Sequence, residues 1–126
     1  MSDFINNSLK IIEYTIEECC DETTALAMLK SLNFKDVENK SEYFYLMSYC
    51  KNYFGDKQPA LLYICQAIEL NNTVAKYYDL RSIIYQNLDY YSLAKQDAIK
   101  SIELDKENDD YKYNLKLIND CYFKNK

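Results

Sequence analysis

Residues 67–70 read Ala67-Ile68-Glu69-Leu70, and 34 residues further on the chain writes Ser101-Ile102-Glu103-Leu104. The same offset pairs Tyr43 with Tyr77, Phe44 with Tyr78, Leu46 with Leu80, Ser48 with Ser82 and Ala60 with Ala94. A fixed period of roughly 20–50 residues marks a repeat array, whose unit cannot bury its apolar face alone and must stack on neighbours. Such stacking leaves a concave surface for a partner, so the period points to a binding scaffold.

The 126 residues suffice for one domain with a sizeable core. Gly and Pro occur once each, which removes the turn punctuation that β-proteins need and favours helices. The formal charge is −5, and Arg81 is the one arginine among 15 basic residues. No basic stripe exists to track a phosphate backbone, so nucleic acid is excluded as the expected partner. Apolar runs are short and fall at helical spacing, so no membrane span is expected. Met1-Ser2-Asp3-Phe4 lacks the charged and apolar regions of a secretory signal. The five cysteines (Cys19, Cys20, Cys50, Cys65, Cys121) have no C-x-x-C spacing and there is no histidine. Free thiols, no metal, no cofactor and a cytoplasmic location are the expectation.

Apolar residues recur at three- and four-residue steps along almost the whole chain, which predicts seven helices. The first spans about 3–19, with Leu9, Ile12 and Ile16 on one face. The second starts at Thr23 or Thr24 as N-cap and carries Ala25, Leu29 and Leu32. Residues 33–40 read as a polar linker. Ser41 is placed to cap a third helix that ends at Gly55, which takes a left-handed cap without strain. Asp56 opens the fourth, with Pro59 in its first turn. The fifth covers about 74–88, the sixth about 91–104 after a turn at Asp89, and the seventh about 110–123.

With these helices placed, the chain resembles the tetratricopeptide repeat family. The family's aromatic, small and apolar positions fall on Tyr78, Arg81, Ser82, Tyr85, Ala94, Ala98, Ser101 and Lys106 in residues 75–108. In residues 41–74 they fall on Phe44, Met47, Ser48, Lys51, Ala60, Ile64, Ala67 and Asn72. The closing proline of the family is missing from both. The resemblance implies an all-α fold of antiparallel helix hairpins stacked as a short right-handed superhelix. It implies a single domain, 1–126: a degenerate repeat 6–40, repeats 41–74 and 75–108, and a capping helix 109–126. It also includes a variant with Arg in place of the usual Leu and Asp sixteen residues on, matched by Arg81 and Asp97. These are expected to pair between the two helices of one repeat; a ligand-contacting Arg81 is the alternative.

In this family the first helix of each repeat lines the groove. The register then assigns Lys10, Ile11, Tyr14, Glu17 and Glu18; Tyr45, Leu46, Tyr49, Asn52 and Tyr53; Lys76, Asp79, Leu80, Ile83, Gln86 and Asn87; and Tyr113, Asn114, Leu117 and Cys121. Tyr45, Tyr49 and Tyr53 lie at i, i+4 and i+8, which predicts three rings in a row, partly exposed if they form a binding face. The family's clamp for the acidic C-termini of heat-shock chaperones maps onto Lys10, Tyr14, Leu46, Lys76 and Leu80. Two lysines remain, but neither leucine can donate to a carboxylate. The expected function is a non-enzymatic adaptor that binds a peptide or helical segment of a partner protein in the groove. The alternatives are a dedicated chaperone or immunity-type inhibitor of one client, a co-chaperone with a degraded clamp, or a homodimer formed through the tyrosine row.

Overall fold

The computed structural model of the protein describes residues 2–123, with side chains from Asn7 onward. Among these residues there are seven α-helices and no strand: α1 (Ser2–Glu17), α2 (Glu22–Ser31), α3 (Lys40–Tyr53), α4 (Lys57–Leu70), α5 (Ala75–Asn87), α6 (Tyr91–Leu104) and α7 (Asp109–Ile118). A 3-10 turn (Phe34–Asp36) precedes α3, and a π-helical turn (Asn119–Phe123) widens the end of α7. None of the helices is long and apolar enough to cross a membrane.

The breaks between helices follow local chemistry. Gly55 adopts φ +84°, and Asp89 takes the same left-handed role between α5 and α6 at φ +64°. Two expected caps lie elsewhere. Asp21, not Thr23 or Thr24, caps α2, accepting from the Thr24 N–H at 3.0 Å and from its hydroxyl at 2.7 Å. Asn39, not Ser41, caps α3 by accepting from the Glu42 N–H at 3.1 Å. The short hydroxyls are donors to the true caps, which leaves the carboxylate or amide oxygen to meet the backbone. Residues 33–40 are less polar in effect than in composition. Val37 is buried, and Phe34 packs on Tyr43 and Phe44 with centroids at 5.2 and 5.3 Å.

The helices form two compact units, Met1–Leu70 and Asn71–Lys126. In the first, α1 packs on α2 and α3, α2 on α3, and α3 on α4. Its core includes Ile12, Leu29, Leu46 and Ile64, each fully buried and each contributing about 1.5–3 kcal/mol through removal from water. In the second, α5 packs on α6 and α6 on α7. Ile118 seats on Ala94 and Ala98, flanked by Tyr85, Leu115, Tyr122 and Phe123. The π-helical turn completes this cover: Tyr122 stacks on Tyr91 at 3.7 Å, and the Lys95 ammonium lies 4.8 Å from the Phe123 ring.

The small positions of the 34-residue period have a specific use. The Ser48 hydroxyl donates to the Ala60 carbonyl at 2.6 Å, and the Ser82 hydroxyl donates to the Ala94 carbonyl at 2.8 Å. All four residues are buried, so each hydroxyl is satisfied within the contact between its two helices. A larger side chain there would force the helices apart.

Candidate functional site

In the first unit the outward stripe of α1 runs beside that of α3. Lys10, Ile11, Tyr14, Glu17 and Glu18 are exposed, Tyr14 to 60%. On α3 the exposure is graded: Tyr45 is buried at 9%, Tyr49 is half-buried, and Tyr53 is 61% exposed. An i+4 step advances a helix face by about 40°, so two such steps carry the stripe from the helix interface out to solvent. The continuous three-ring row expected from the spacing is therefore a pair and a neighbour. Tyr45 and Tyr49 lie at 6.4 Å, whereas Tyr53 meets Phe54 edge-on at 5.1 Å. Tyr45 belongs to the packing, not to the accessible face, and so does the fully buried Leu46.

The carboxylates around these rings set the local field. Burial, followed by Glu42, Glu17, Tyr49 and Glu13, pushes the Tyr45 hydroxyl well above its ordinary range. Burial also raises Tyr49, followed by Glu22, Cys20, Glu17 and Cys50. Glu22, the first residue of α2, is only 5% exposed. Burial, with Glu22 second, lifts the neighbouring Cys50 thiol to about 11. Glu22 carried no signal in the sequence, because its burial depends on how α2 lies against α3.

In the second unit, Asn114 on α7 ties the inner side of α5. Its amide donates to Ser82 Oγ at 3.2 Å and weakly to Asp79 Oδ1 at 3.4 Å, and its oxygen accepts from Gln86 Nε2 at 3.0 Å. Burial raises the Asp79 carboxyl to about 6; Asp110 adds to the shift and the Asn114 hydrogen bond opposes it. Tyr111 is raised by burial and then by Asp79, with Lys76 opposing. Leu80 is buried, which removes it from the expected surface set. Lys76 and Ile83 are partly buried, while Asn87, Tyr113 and Leu117 are exposed. Gln86 and Asn114, expected on the groove, have their amides engaged in this internal knot.

Arg81 and Asp97 meet in a two-pronged pair, Nε to Oδ2 at 2.7 Å and Nη2 to Oδ1 at 2.9 Å. Asp97 is buried, and the guanidinium lies 5.6 Å from the Tyr78 ring and 5.7 Å from the Tyr85 ring. A planar fork between two aromatic faces is a task that lysine cannot perform. The five cysteines are free thiols, and no group of three or more Cys, Asp or Glu side chains among the described residues could hold a metal ion.

No protein-family model matches the sequence. Serine/threonine-protein phosphatase 5 from Homo sapiens and from Rattus norvegicus are each 41% identical to it over 64 residues, 49% of this chain. The match spans 13% of the length of those relatives. Among solved structures, the first TPR of Spaghetti (RPAP3) bound to the HSP90 peptide SRMEEVD superimposes with a TM-score of 0.78 at 16% identity, over 95% of this chain and 94% of that one. The second TPR domain of human RPAP3, in complex with the HSP70 peptide SGPTIEEVD, gives 0.74 at 16% identity, over 92% and 96%. The crystal structure of MamA protein gives 0.73 at 20% identity, over 92% and 62%. The chain thus has the all-α tetratricopeptide-repeat fold.

Proposed function

We propose that this chain is a non-catalytic protein-interaction module whose first unit takes a peptide or helical segment of a partner protein on the α1–α3 face. The observation that carries this reading is the exposure of Tyr14 and Tyr53 on that face, beside Ile11 and the half-buried Tyr49. Tyrosine offers a large contact area at low side-chain entropy cost, with a hydroxyl for orientation. In the second unit Tyr113, Leu117 and Asn87, with the partly buried Lys76 and Ile83, present a further face of the same character. The peptide complexes of the two RPAP3 domains support a peptide-binding use of this fold.

An acidic C-terminal peptide is not the favoured ligand. Lys10 and Lys76 supply charge, but Tyr14 occupies one donor position, and Leu46 and Leu80 are buried and have nothing to donate. A carboxylate brought against either leucine would lose its hydration without gaining the hydrogen bonds that replace it.

The test is co-purification with the unmodified protein and with the double variant Tyr14→Ala, Tyr53→Ala. Both side chains are exposed, so the fold should be unaffected while a bound partner loses more than about 1 kcal/mol of affinity. A partner retained at full strength by the double variant contradicts the assignment of this face.

A further inference from the structure

We propose that Cys19 and Cys20 form a dithiol site on the turn between α1 and α2, which low-molecular-weight disulfides of the glutathione class convert reversibly into a Cys19–Cys20 disulfide. The inference does not depend on the peptide-binding reading. Its first support is placement: α1 ends at Glu17 and α2 begins at Glu22, so both cysteines lie in the joint, and both are exposed free thiols. Inside a helix, adjacent side chains are held about 100° apart; the joint is free of that constraint. The second support is the backbone. Three helix ends among the described residues carry a left-handed residue, Gly55 at φ +84°, Asp89 at +64° and Cys20 at +52°. Glycine takes that conformation freely and aspartate with help from its short polar side chain, whereas cysteine has no such advantage. Backbone needs therefore do not account for a cysteine at this position. The third support is slack in the turn. After Gly55 and Asp89 the next N–H bonds back to a carbonyl five positions earlier, Asp56 to Lys51 at 2.9 Å and Tyr90 to Tyr85 at 2.8 Å. After Cys20 the bond reaches one position further, from Asp21 to Thr15 at 3.1 Å. Adjacent Cα atoms stand about 3.8 Å apart, less than the roughly 4.4–6.8 Å of an ordinary disulfide, so the ring needs that slack to close and reopens readily.

The exchange has two steps. One cysteine thiolate attacks oxidised glutathione, forming a mixed disulfide and releasing the first glutathione. The neighbouring thiolate then attacks the cysteine sulfur of that mixed disulfide, closing the ring and releasing the second. Two cysteine thiols are oxidised, one glutathione disulfide is reduced, and the two protons leave on the released thiols. Adjacency makes the second step intramolecular, so it outruns attack by another glutathione.

The experiment treats the full chain, reduced and freed of reductant, with oxidised glutathione, then digests it with trypsin at low pH-quenched exchange and weighs peptide 11–30, which holds both cysteines. That peptide should lose two hydrogens, keep no glutathione, and regain its thiols when reduced glutathione is added in excess. Cys19→Ser and Cys20→Ser, each at an exposed position, leave one thiol in the turn, and each variant should instead retain one glutathione on the same peptide. Glutathione retained on the unmodified peptide overturns the proposal, because it shows that the ring does not close. Thiols left unchanged while Cys121 reacts overturn it as well. So does a disulfide from this peptide to Cys50, Cys65, Cys121 or a second copy, because the turn would then lack a site of its own.

Discussion

Replacing Arg81 by leucine isolates the strongest polar tie of the second unit. The substitution leaves Asp97, buried within α6, without either of its hydrogen bonds at 2.7 and 2.9 Å. Removing one partner of a buried ion pair costs about 3–5 kcal/mol, because the remaining charge stays desolvated. Lost cation–π contact with Tyr78 and Tyr85 adds about 0.5–1 kcal/mol. The Arg81 side chain retains 21% solvent access, and leucine recovers some packing, so we expect a net loss of about 3 kcal/mol. Urea denaturation followed by circular dichroism measures it. Adding Asp97→Asn should then recover about 1–2 kcal/mol, since a neutral amide is far cheaper to bury unpaired than a carboxylate. A loss below about 1 kcal/mol for Arg81→Leu, or no recovery in the double variant, would refute the argument that desolvated charge dominates here.

Asp79 gives a pH dependence whose sign follows from its surroundings. Its carboxyl is raised from 3.8 to about 6, so between those values the folded state holds a proton that the unfolded state has released, and stability falls as pH rises through this window. After discounting for solvent access, Asp79→Asn should raise stability at pH 7.5 by about 1–2 kcal/mol and flatten the slope between pH 4 and 6; destabilisation at pH 7.5 would count against it. Gly55→Ala meets no atom within 4 Å but must adopt φ +84°, so it should cost about 1–2 kcal/mol for conformational reasons alone, with Gly55→Asn costing less. Iodoacetamide should alkylate the exposed Cys19, Cys20 and Cys121 quickly, and Cys50 only on unfolding, because it is buried and its thiol stands at about 11. Mass spectrometry of partly labelled protein reads the order, and early labelling of Cys50 would show that the α2–α3 packing is loose.

Periodicity made the helices legible, because burial of one face leaves a spacing that survives without any knowledge of neighbours. Seven were expected and seven occur among the described residues, with the break at Gly55 in place. The caps of α2 and α3 were misread because Asp21 and Asn39 sit two residues upstream of Thr23 and Ser41, and both kinds of side chain satisfy the same local pattern. Phe34 and Val37 were hidden in a segment too short to show a period. The candidate face was legible in outline only. Spacing places Tyr45 and Tyr53 on one stripe, but the drift of an α-helix separates them into a packed ring and an exposed one. Glu22 was invisible for a different reason: it is buried where α2 and α3 pack, and no local pattern records that packing.

The paired serine contacts have a consequence for how the chain reaches its fold. Each joins residues twelve apart, Ser48 to Ala60 and Ser82 to Ala94, so each is closed by a short loop whose entropy cost is small. Loops of that size close in about 10–100 ns, and helices of this length form within about a microsecond. Either hairpin can therefore fix the relative slide of its helices before any distant segment arrives. Folding should be fast and locally nucleated, with Ser48→Ala and Ser82→Ala slowing the formation of their own hairpins and scarcely changing the unfolding rate.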